Sequence, residues 1–259
     1  ELIHSELLAY HKLYDIYNDY DGVNNLKTVN DNAGVAPVQV DQRLIKLVSF
    51  AKEMYALTNG RMNVAMGSVL KIWHDHREAG IDNPENATLP NMTDLQAAAE
   101  HTDITKVVID EAASTLYLED PDMRLDVGAV AKGYATEQVA QALIEKGVTS
   151  CLLSIGGNVR AIGTRADGTP WRVGVQNPDL NAENQNLTKL DLADLSLVSS
   201  GSYQRYYTVG GKQYHHIIDP DTLMPADYFW AVSIITQDSG LADSLSTALY
   251  TLSLEDGRA

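Results

Sequence analysis

Residues 125–163 read LDVGAVAKGYATEQVAQALIEKGVTSCLLSIGGNVRAIG, and the rest of the chain is organised around this stretch. Its pattern predicts a tight turn at Asp126–Gly128, a helix that starts near Lys132, a strand CLLSI and a second turn at Gly156–Gly157. A carboxylate, an ammonium group and two glycine-permitted turns therefore lie close together in the sequence. We expect this combination to form part of a site for a phosphorylated ligand.

The segments on either side of this stretch predict helices and antiparallel hairpins. Alternating apolar and polar residues over 104–125 predict a hairpin around residues 111–113, and a second hairpin is expected through Gly210–Gly211. Helical spacing predicts a helix over 5–20 with Ser5 as its N-cap. Residues 21–34 are rich in Asn, Asp and Gly and predict a loop. This mixture of elements favours an α+β fold over a doubly wound parallel sheet.

Composition and charge limit the classes of function. The chain has 259 residues, 44% of them hydrophobic and 21% charged, which is typical of a globular protein with a substantial core. No apolar run reaches the ~18–20 residues that span a bilayer. The formal net charge of −16 disfavours binding to nucleic acid and anionic lipid. A phosphate ligand would therefore need local cations or a metal ion to reverse this field.

The last predicted helix carries a candidate metal site. Asp243, Ser246 and Thr247 are spaced i, i+3 and i+4, so their oxygen atoms share one face of the helix. One carboxylate and two hydroxyls are hard oxygen donors that suit Mg²⁺ or Ca²⁺. Alternatively, Asp243 only favours the helix dipole and the two hydroxyls are exposed. The spacing alone leaves both interpretations open.

A pair of histidines marks a third candidate position. His215 and His216 lie on a predicted strand, so only one of them faces a given side of the sheet. A neutral imidazole there could act as a general base near pH 7 or could simply hydrogen-bond a loop. The sequence contains no Gly-x-Ser-x-Gly, Walker or His-Glu-x-x-His motif, so the corresponding hydrolase, P-loop and zinc-protease classes lack support.

Several motifs in one order resemble the ApbE family of FAD:protein FMN transferases, once called thiamine biosynthesis lipoproteins. The motifs are DVGAVAKGYATEQVAQAL, SIGGNVRAIG, WRVGVQNP, SSGSYQRYY, HHIIDP and ADSLSTALYTL. TNGRMNVAMGSVLKIW extends the resemblance, which covers roughly Ser5 to Leu254. Any one motif alone would be a weak signal, whereas the ordered set is specific.

The resemblance implies a fold, a domain organisation and a location. The fold would consist of two similar lobes of mainly antiparallel sheet with packed helices, related to the T-fold. Residues 1–259 would form a single catalytic domain whose two ends look trimmed. The protein would be bacterial and extracytoplasmic, attached to a membrane only through a lipid anchor outside this chain.

The resemblance also implies an activity. FAD would be cleaved at its pyrophosphate, AMP would leave, and FMN would be joined to a threonine hydroxyl of a partner flavoprotein with the help of Mg²⁺. Two alternatives use the same family resemblance. In one, water replaces the threonine and the protein is an FAD pyrophosphatase; in the other, it binds FAD without turning it over.

Site residues follow from the matched positions. The implied catalytic residues are Lys132, His216 and Asp243. The implied flavin-nucleotide contacts are Arg61, Met62, Asn63, Asp126, Lys132, His216 and Ile217. The implied metal ligands are the main chain of Ala129 and the side chains of Asp243, Ser246 and Thr247. Two departures stand out: Met62-Asn63 replaces a family Phe-Asp, and Leu223 replaces a glycine after Asp219-Pro220.

Overall fold

The computed structural model describes residues 1–259, and the chain divides into two compact units. Unit 1 consists of residues 1–128 and 205–225, and unit 2 consists of residues 129–204 and 226–259. The α-helices are α1 (Leu2–Tyr14), α2 (Leu26–Asp31), α3 (Gln42–Leu57), α4 (Gly67–Asp82), α5 (Met92–Ala99), α6 (Ala131–Glu145) and α7 (Ser239–Tyr250). The strands are β1 (Val38–Gln39), β2 (Val107–Asp110), β3 (Thr115–Leu118), β4 (Cys151–Ile155), β5 (Asn158–Ile162), β6 (Trp171–Gln176), β7 (Asn186–Leu192), β8 (Ser196–Gly201), β9 (Tyr206–Val209), β10 (Lys212–His215) and β11 (Ala231–Thr236).

Unit 1 combines α1–α5 with two small antiparallel sheets. One sheet has the order β1–β3–β2, and the other is the hairpin β9–β10. The β2–β3 pairing confirms the hairpin that alternation predicted, and β9–β10 turns at Gly210–Gly211 as expected. Asp41 caps α3 by accepting the Arg43 N–H at 2.8 Å. The sequence pattern thus locates both hairpins of unit 1.

Packing in unit 1 joins α4 to the chain around β9–β10. The buried members of this cluster are Met66, Val69, Trp73, Leu95, Tyr207, Ile218 and Leu223. The indole N–H of Trp73 donates to the Leu223 carbonyl at 2.9 Å, so its one polar atom is satisfied inside the core. This cluster fixes the turn that follows the two histidines.

Unit 2 is built on the four-stranded sheet β11–β8–β5–β4, in which every neighbouring pair is antiparallel. The strands β6 and β7 form a separate antiparallel pair. Ala161, Leu192 and Leu197 form one buried cluster of this unit. The helices α6 and α7 lie in the same unit, and their contact positions the candidate site. The architecture is therefore α+β with antiparallel sheets, as predicted.

Residues 21–34 differ from the sequence prediction. They contain α2, which is closed by a capping box in which Asn25 accepts the Thr28 N–H and Thr28 accepts the Asn25 N–H. The buried Asn30 side chain then donates to the Leu125 carbonyl at 3.0 Å and accepts the Leu125 N–H at 2.7 Å. The predicted loop was wrong because these asparagines serve as cap and backbone partner, not as loop formers.

Helix boundaries at the N-terminus also differ from the prediction. The first helix starts at Leu2, so Ser5 lies inside it and donates to the Leu2 carbonyl instead of capping. The helix ends at Tyr14, and Asp15 accepts the Tyr17 and Asn18 N–H groups just beyond. Tyr17 therefore lies beyond the helix, although the prediction placed it inside. No helix of the protein combines the length and apolar character that crossing a membrane requires.

Candidate functional site

The Asp243 carboxylate is the centre of the polar cluster in unit 2. It lies on α7, 3% exposed, and its Oδ2 accepts the Gly133 N–H of α6 at 2.7 Å. The Lys132 ammonium lies 3.8 Å from Oδ1. Sequence analysis placed Asp243 and Lys132 in one site. The structure brings the two residues together, although their residue numbers differ by 111.

This contact requires a glycine at position 133. A Cβ atom added there would lie 2.2 Å from the Ser239 carbonyl oxygen and 2.5 Å from the Asp243 Cβ. Real atoms do not approach this closely, so only glycine lets α6 and α7 come together here. The group that approaches closely at this glycine is therefore α7.

Hydroxyl groups extend the cluster along α7. Ser246 Oγ donates to the Asp243 carbonyl at 2.9 Å and lies 2.8 Å from Ser200 Oγ. Ser200, on β8, also lies 3.5 Å from Thr247 Oγ1. Ser246 is fully buried, so the interpretation of exposed hydroxyls on this helix is wrong for it. Sequence reasoning missed Ser200, because only the pairing of β8 within the sheet brings it to this face.

The Gly156–Gly157 turn lies beside the same residues. Both glycines have positive φ, 57° and 93°, and they close the β4–β5 hairpin. A Cβ atom at Gly156 would lie 3.3 Å from Lys132 Cδ, so the lysine stem passes over this turn. Asn158, which follows the turn, is 2% exposed. The turn therefore supports Lys132, in addition to any contact it makes with a ligand.

Burial raises the pKa of the Asp243 carboxyl, while Lys132, the Gly133 N–H and Asn158 oppose that rise. Burial of this carboxylate therefore favours a positively charged partner beside it. The Asp243 carboxylate and the Ser246 and Thr247 hydroxyls are hard oxygen donors, and Ala129 lies two residues before α6 in the adjoining turn. This donor set fits Mg²⁺, and a divalent cation would supply such a positive charge.

Unit 1 holds the second polar cluster, around Asp126. Asp126 accepts the Gly128 N–H at 2.8 Å, and its own N–H donates to the Val64 carbonyl at 2.8 Å. Burial raises the pKa of its carboxyl, and the Gly128 N–H and the positive charges of Arg77 and Arg205 act against this. The predicted acidic glycine turn is therefore present, and it is held by backbone hydrogen bonds within unit 1.

His216 is the better placed of the two histidines to accept a proton. Its Nδ1 lies 3.2 Å from the Arg205 carbonyl oxygen. Because a carbonyl can only accept, Nδ1 carries the hydrogen and Nε2 keeps its lone pair in the neutral ring. Burial, with the positive charge of Arg205, lowers the pKa of His216 to about 4. His215 differs, because its Nδ1 accepts the Ile217 N–H at 3.2 Å.

The predicted flavin segment at Arg61–Asn63 is tied into unit 1 by its own contacts. Arg61 pairs with Asp219 at 3.3 Å and with Asp221 at 2.6 Å. Met62 is 1% exposed, and Asn63 donates to the Thr102 carbonyl and accepts the Ala65 N–H. Ile217 is also buried. The roles of Arg61, Met62, Asn63 and Ile217 in flavin binding stay predictions.

The order and spacing of these residues agree with one known family. The sequence pattern of the ApbE family matches residues 3–259. The chain belongs to the ApbE family.

Individual members of the family cover nearly the whole chain. A relative from Klebsiella pneumoniae (strain 342), named FAD:protein FMN transferase, is 32% identical over 267 residues, which span 99% of this chain and 79% of the relative. A relative of the same name from Treponema pallidum (strain Nichols) is 33% identical over 244 residues, 89% of this chain and 65% of the relative. The chain thus spans slightly less than two thirds of the latter protein. It is a homologue of FAD:protein FMN transferases.

Solved structures of the family share the fold. The ApbE protein from Thermotoga maritima superposes with a TM-score of 0.85 at 29% identity, covering 99% of this chain and 79% of that protein. The apo form of the flavinyl transferase ApbE from Pseudomonas stutzeri gives 0.79 at 26% identity, covering 98% and 76%. The α+β, ApbE-like fold is therefore confirmed, whereas the similarity of two lobes stays a prediction.

Sequence reasoning missed an aromatic and basic group near Asp126. The guanidinium Nη2 of Arg77 lies 2.7 Å from His74 Nδ1. The Tyr17 ring packs on the His74 ring, with their centroids 5.0 Å apart. Arg77, with Arg205, is also one of the cations that act on Asp126. Helical spacing of His74 and Arg77 on α4 was the available signal, because positions i and i+3 share a face.

Another group of metal-ligating side chains lies elsewhere in unit 1. Ligand atoms of His101, Asp120 and Asp122 all fall within 4.8 Å of one another, a group that could hold a metal ion. Lys106 already lies 2.9 Å from Asp120 Oδ2. Burial opposes ionisation of Asp120, but hydrogen bonds from Lys106 and His101 lower its pKa to about 2. Asp120 therefore already has Lys106 and His101 as hydrogen-bond partners.

Proposed function

We propose that this protein transfers FMN from FAD to a threonine hydroxyl of a partner flavoprotein and releases AMP, with Mg²⁺ as its cofactor. The observation that carries the proposal is the buried Asp243 carboxylate, held by the Gly133 N–H, with Lys132 and two hydroxyls beside it. Family membership supports the flavin chemistry.

Each polar group has a role in this reaction. Asp243, Thr247 and Ser246, with the Ala129 carbonyl, would hold Mg²⁺, which neutralises charge on the pyrophosphate when bound. Lys132 adds a positive charge for the phosphate oxygens. Asp126, Arg61, Met62, Asn63 and Ile217 are the proposed contacts of the flavin nucleotide.

His216 is the proposed acceptor of the threonine proton. The phosphoanhydride bond of FAD breaks, a phosphoester bond to the threonine Oγ forms, and the hydroxyl proton passes to Nε2 of His216 while AMP leaves. Because the pKa of His216 is lowered to about 4, the ring is neutral at pH 7 and its Nε2 carries no proton.

Covalent labelling of an acceptor tests the proposal. The protein is incubated with FAD, Mg²⁺ and a flavoprotein domain that carries an acceptor threonine, and intact mass and in-gel fluorescence detect bound FMN. We expect Asp243→Asn to lower the rate at least about 100-fold, the scale of losing one preorganised electrostatic contact. Asp238→Asn is the matched control, because Asn caps a helix as well as Asp and Asp238 caps the same helix.

The products separate the alternatives. Free FMN and AMP without labelled protein would mean that water is the acceptor and the protein is a pyrophosphatase. Intact FAD, bound in equal amount to the protein after long incubation with Mg²⁺, would mean that it binds the nucleotide without cleaving it. Equal labelling by the Asp243→Asn variant and the wild type would refute the metal site.

We also propose a domain organisation and a cellular location for the protein. Residues 1–259 form one catalytic domain in this proposal, and the protein acts outside the cytoplasm at a bacterial membrane, attached through a lipid anchor. Family resemblance supports both statements. Cell fractionation of the natural protein, followed by mass spectrometry of its N-terminal residue, tests the location and the anchor.

A further inference from the structure

A buried ion pair lies next to the Asp243 cluster and has no part in the chemistry proposed above. Glu137 on α6 and Arg160 on β5 are each 5% exposed. Arg160 Nε donates to Glu137 Oε2 at 3.0 Å, and Gln141 donates to Glu137 Oε1 at 2.6 Å. A buried pair of this kind is often no more stabilising than apolar residues of the same size. Its position therefore calls for a reason other than stability.

Glu137 also holds the first turn of α7. The N–H of Ser239, the first residue of α7, donates to Glu137 Oε2 at 3.0 Å. The first N–H groups of a helix have no partner inside the helix, and a negative charge there is favourable. One carboxylate therefore joins three elements: α6, on which it lies, β5 through Arg160, and α7 through Ser239.

The hydrogen bond to Ser239 lies one helical turn from the bond that orients Asp243. On α6 the partners are Gly133 and Glu137, and on α7 they are Asp243 and Ser239, four residues apart in each helix. Four residues are about one turn, so the two helices run antiparallel with two bonds about 6 Å apart. If the hydrogen bond between Ser239 and Glu137 were lost, the bond between Gly133 and Asp243 would be the one that remains of these two.

We infer that Glu137 and Arg160 are positioning residues that hold the Asp243 carboxylate in place for the metal ion, an inference that rests on the metal site of the proposed function. Arg160 and Asn158 are two residues apart on β5 and so share one face of that strand. The pair therefore ties α7 to the same strand that carries Asn158, which is one of the groups that act on the Asp243 carboxyl.

Binding of Mn²⁺ to the flavin-free protein tests the inference. Titration calorimetry or the electron paramagnetic resonance of free Mn²⁺ reports affinity at a temperature where every variant is folded, as checked by circular dichroism. We expect Glu137→Gln and Arg160→Met each to weaken Mn²⁺ binding about 10- to 100-fold, the range for residues that orient metal ligands. Arg160→Lys, which keeps a cation beside Glu137, is expected to recover part of the affinity.

A double variant separates positioning from stability. Glu137→Leu with Arg160→Met removes both charges, so it should recover thermal stability relative to the single variants. We expect Mn²⁺ affinity to stay low in the double variant, because no acceptor remains for the Ser239 N–H. Val139→Ala on α6, which empties a buried site elsewhere on that helix, should lower stability and leave Mn²⁺ affinity as in the wild type.

The outcomes distinguish the two proposals. If Asp243→Asn abolishes Mn²⁺ binding while the Glu137 and Arg160 variants bind normally, the pair is structural and the inference is refuted alone. If the double variant recovers both Mn²⁺ affinity and thermal stability, the pair is likewise structural and this inference alone is refuted. If Asp243→Asn binds Mn²⁺ as well as the wild type, the metal site and this inference both fail.

Discussion

The pKa of His216 is determined by the surroundings of its ring and not by its residue type alone. Its Nδ1 is turned toward the Arg205 carbonyl, and its burial next to Arg205 lowers the pKa from 6.5 to about 4. We expect the imidazole to stay neutral at about pH 5, below the ordinary pKa of histidine. Imidazole nitrogen chemical shifts, with His216→Asn to identify the resonance, measure this directly. A midpoint near 6.5 would contradict the prediction.

The same pKa has a consequence for stability. Between pH 6.5 and about 4 the unfolded chain binds a proton at this position that the folded chain does not. Above pH 6.5 this group leaves stability unchanged, and stability falls as the pH drops from 6.5 toward about 4. The thermal midpoint of the His216→Asn variant should accordingly fall less steeply over this range than that of the wild type.

Leu223 holds a backbone conformation that usually belongs to glycine. Its φ is 59°, and its side chain is only 8% exposed within the unit 1 core. Left-handed backbone costs a non-glycine residue about 1–2 kcal/mol, whereas removal of a buried leucine side chain costs about 2–5 kcal/mol. We therefore expect Leu223→Gly and Leu223→Ala both to destabilise the protein.

The order of these two variants is the sharper test. Both lose the same packing, but only glycine relieves the backbone, so Leu223→Gly should be more stable than Leu223→Ala by about 1 kcal/mol. Guanidinium unfolding followed by tryptophan fluorescence measures the difference. The reverse order, which is normal for residues with negative φ, would show that the turn relaxes once the leucine is gone.

At the scale of elements, the close approach of α6 and α7 at Gly133 is a packing constraint. Alanine is favoured over glycine inside a helix by about 1 kcal/mol, but an added Cβ would lie 2.2 Å from the Ser239 carbonyl oxygen. Overpacking costs about 1–3 kcal/mol, so it outweighs the helix propensity. We expect Gly133→Ala to lower the thermal midpoint and weaken Mn²⁺ binding together, as seen by scanning calorimetry and titration.

A surface change on the same helix serves as the control. Glu145→Ala alters an exposed position in the last turn of α6, so its stability should stay within about 0.5 kcal/mol of the wild type. A Gly133→Ala protein that is as stable as the wild type would mean that the helices separate without cost, and the glycine would then have no packing role.

Across the whole molecule, periodicity in the sequence predicted helices and strands better than it predicted contacts between residues that are distant in the chain. Apolar spacing located α6 and α7 and alternation located β2–β3, because each depends on residues near in sequence. The helix α2 was missed, since its cap uses the side chains of Asn25 and Thr28 and its packing depends on Asn30 reaching Leu125. Asparagine in that role resembles asparagine in a loop until the distant partner is known.

The residues of the candidate site also fall into those that local sequence spacing indicates and those that only the folded structure brings together. Asp243, Ser246 and Thr247 were found from helical spacing, but Ser200 approaches them only through the pairing of β8 with β11 and β5. Sequence reasoning did not single out Glu137 and Arg160, because nothing local shows that both are buried. The tautomer of His216 depends on the carbonyl of Arg205, which is eleven residues away in the chain.

The discontinuous path of the chain has a consequence for biosynthesis. Unit 1 is interrupted after residue 128 and is completed only by residues 205–225, while unit 2 waits for residues 226–259. At about 5–20 residues per second, the ribosome needs roughly 5–20 s to make the inserted stretch and the missing part of unit 1. During that interval the α4 side of the unit 1 core has no β9–β10 hairpin to cover it. The nascent chain therefore exposes this apolar face until residues 205–225 are made, and Asp243 is made only after both segments of unit 1.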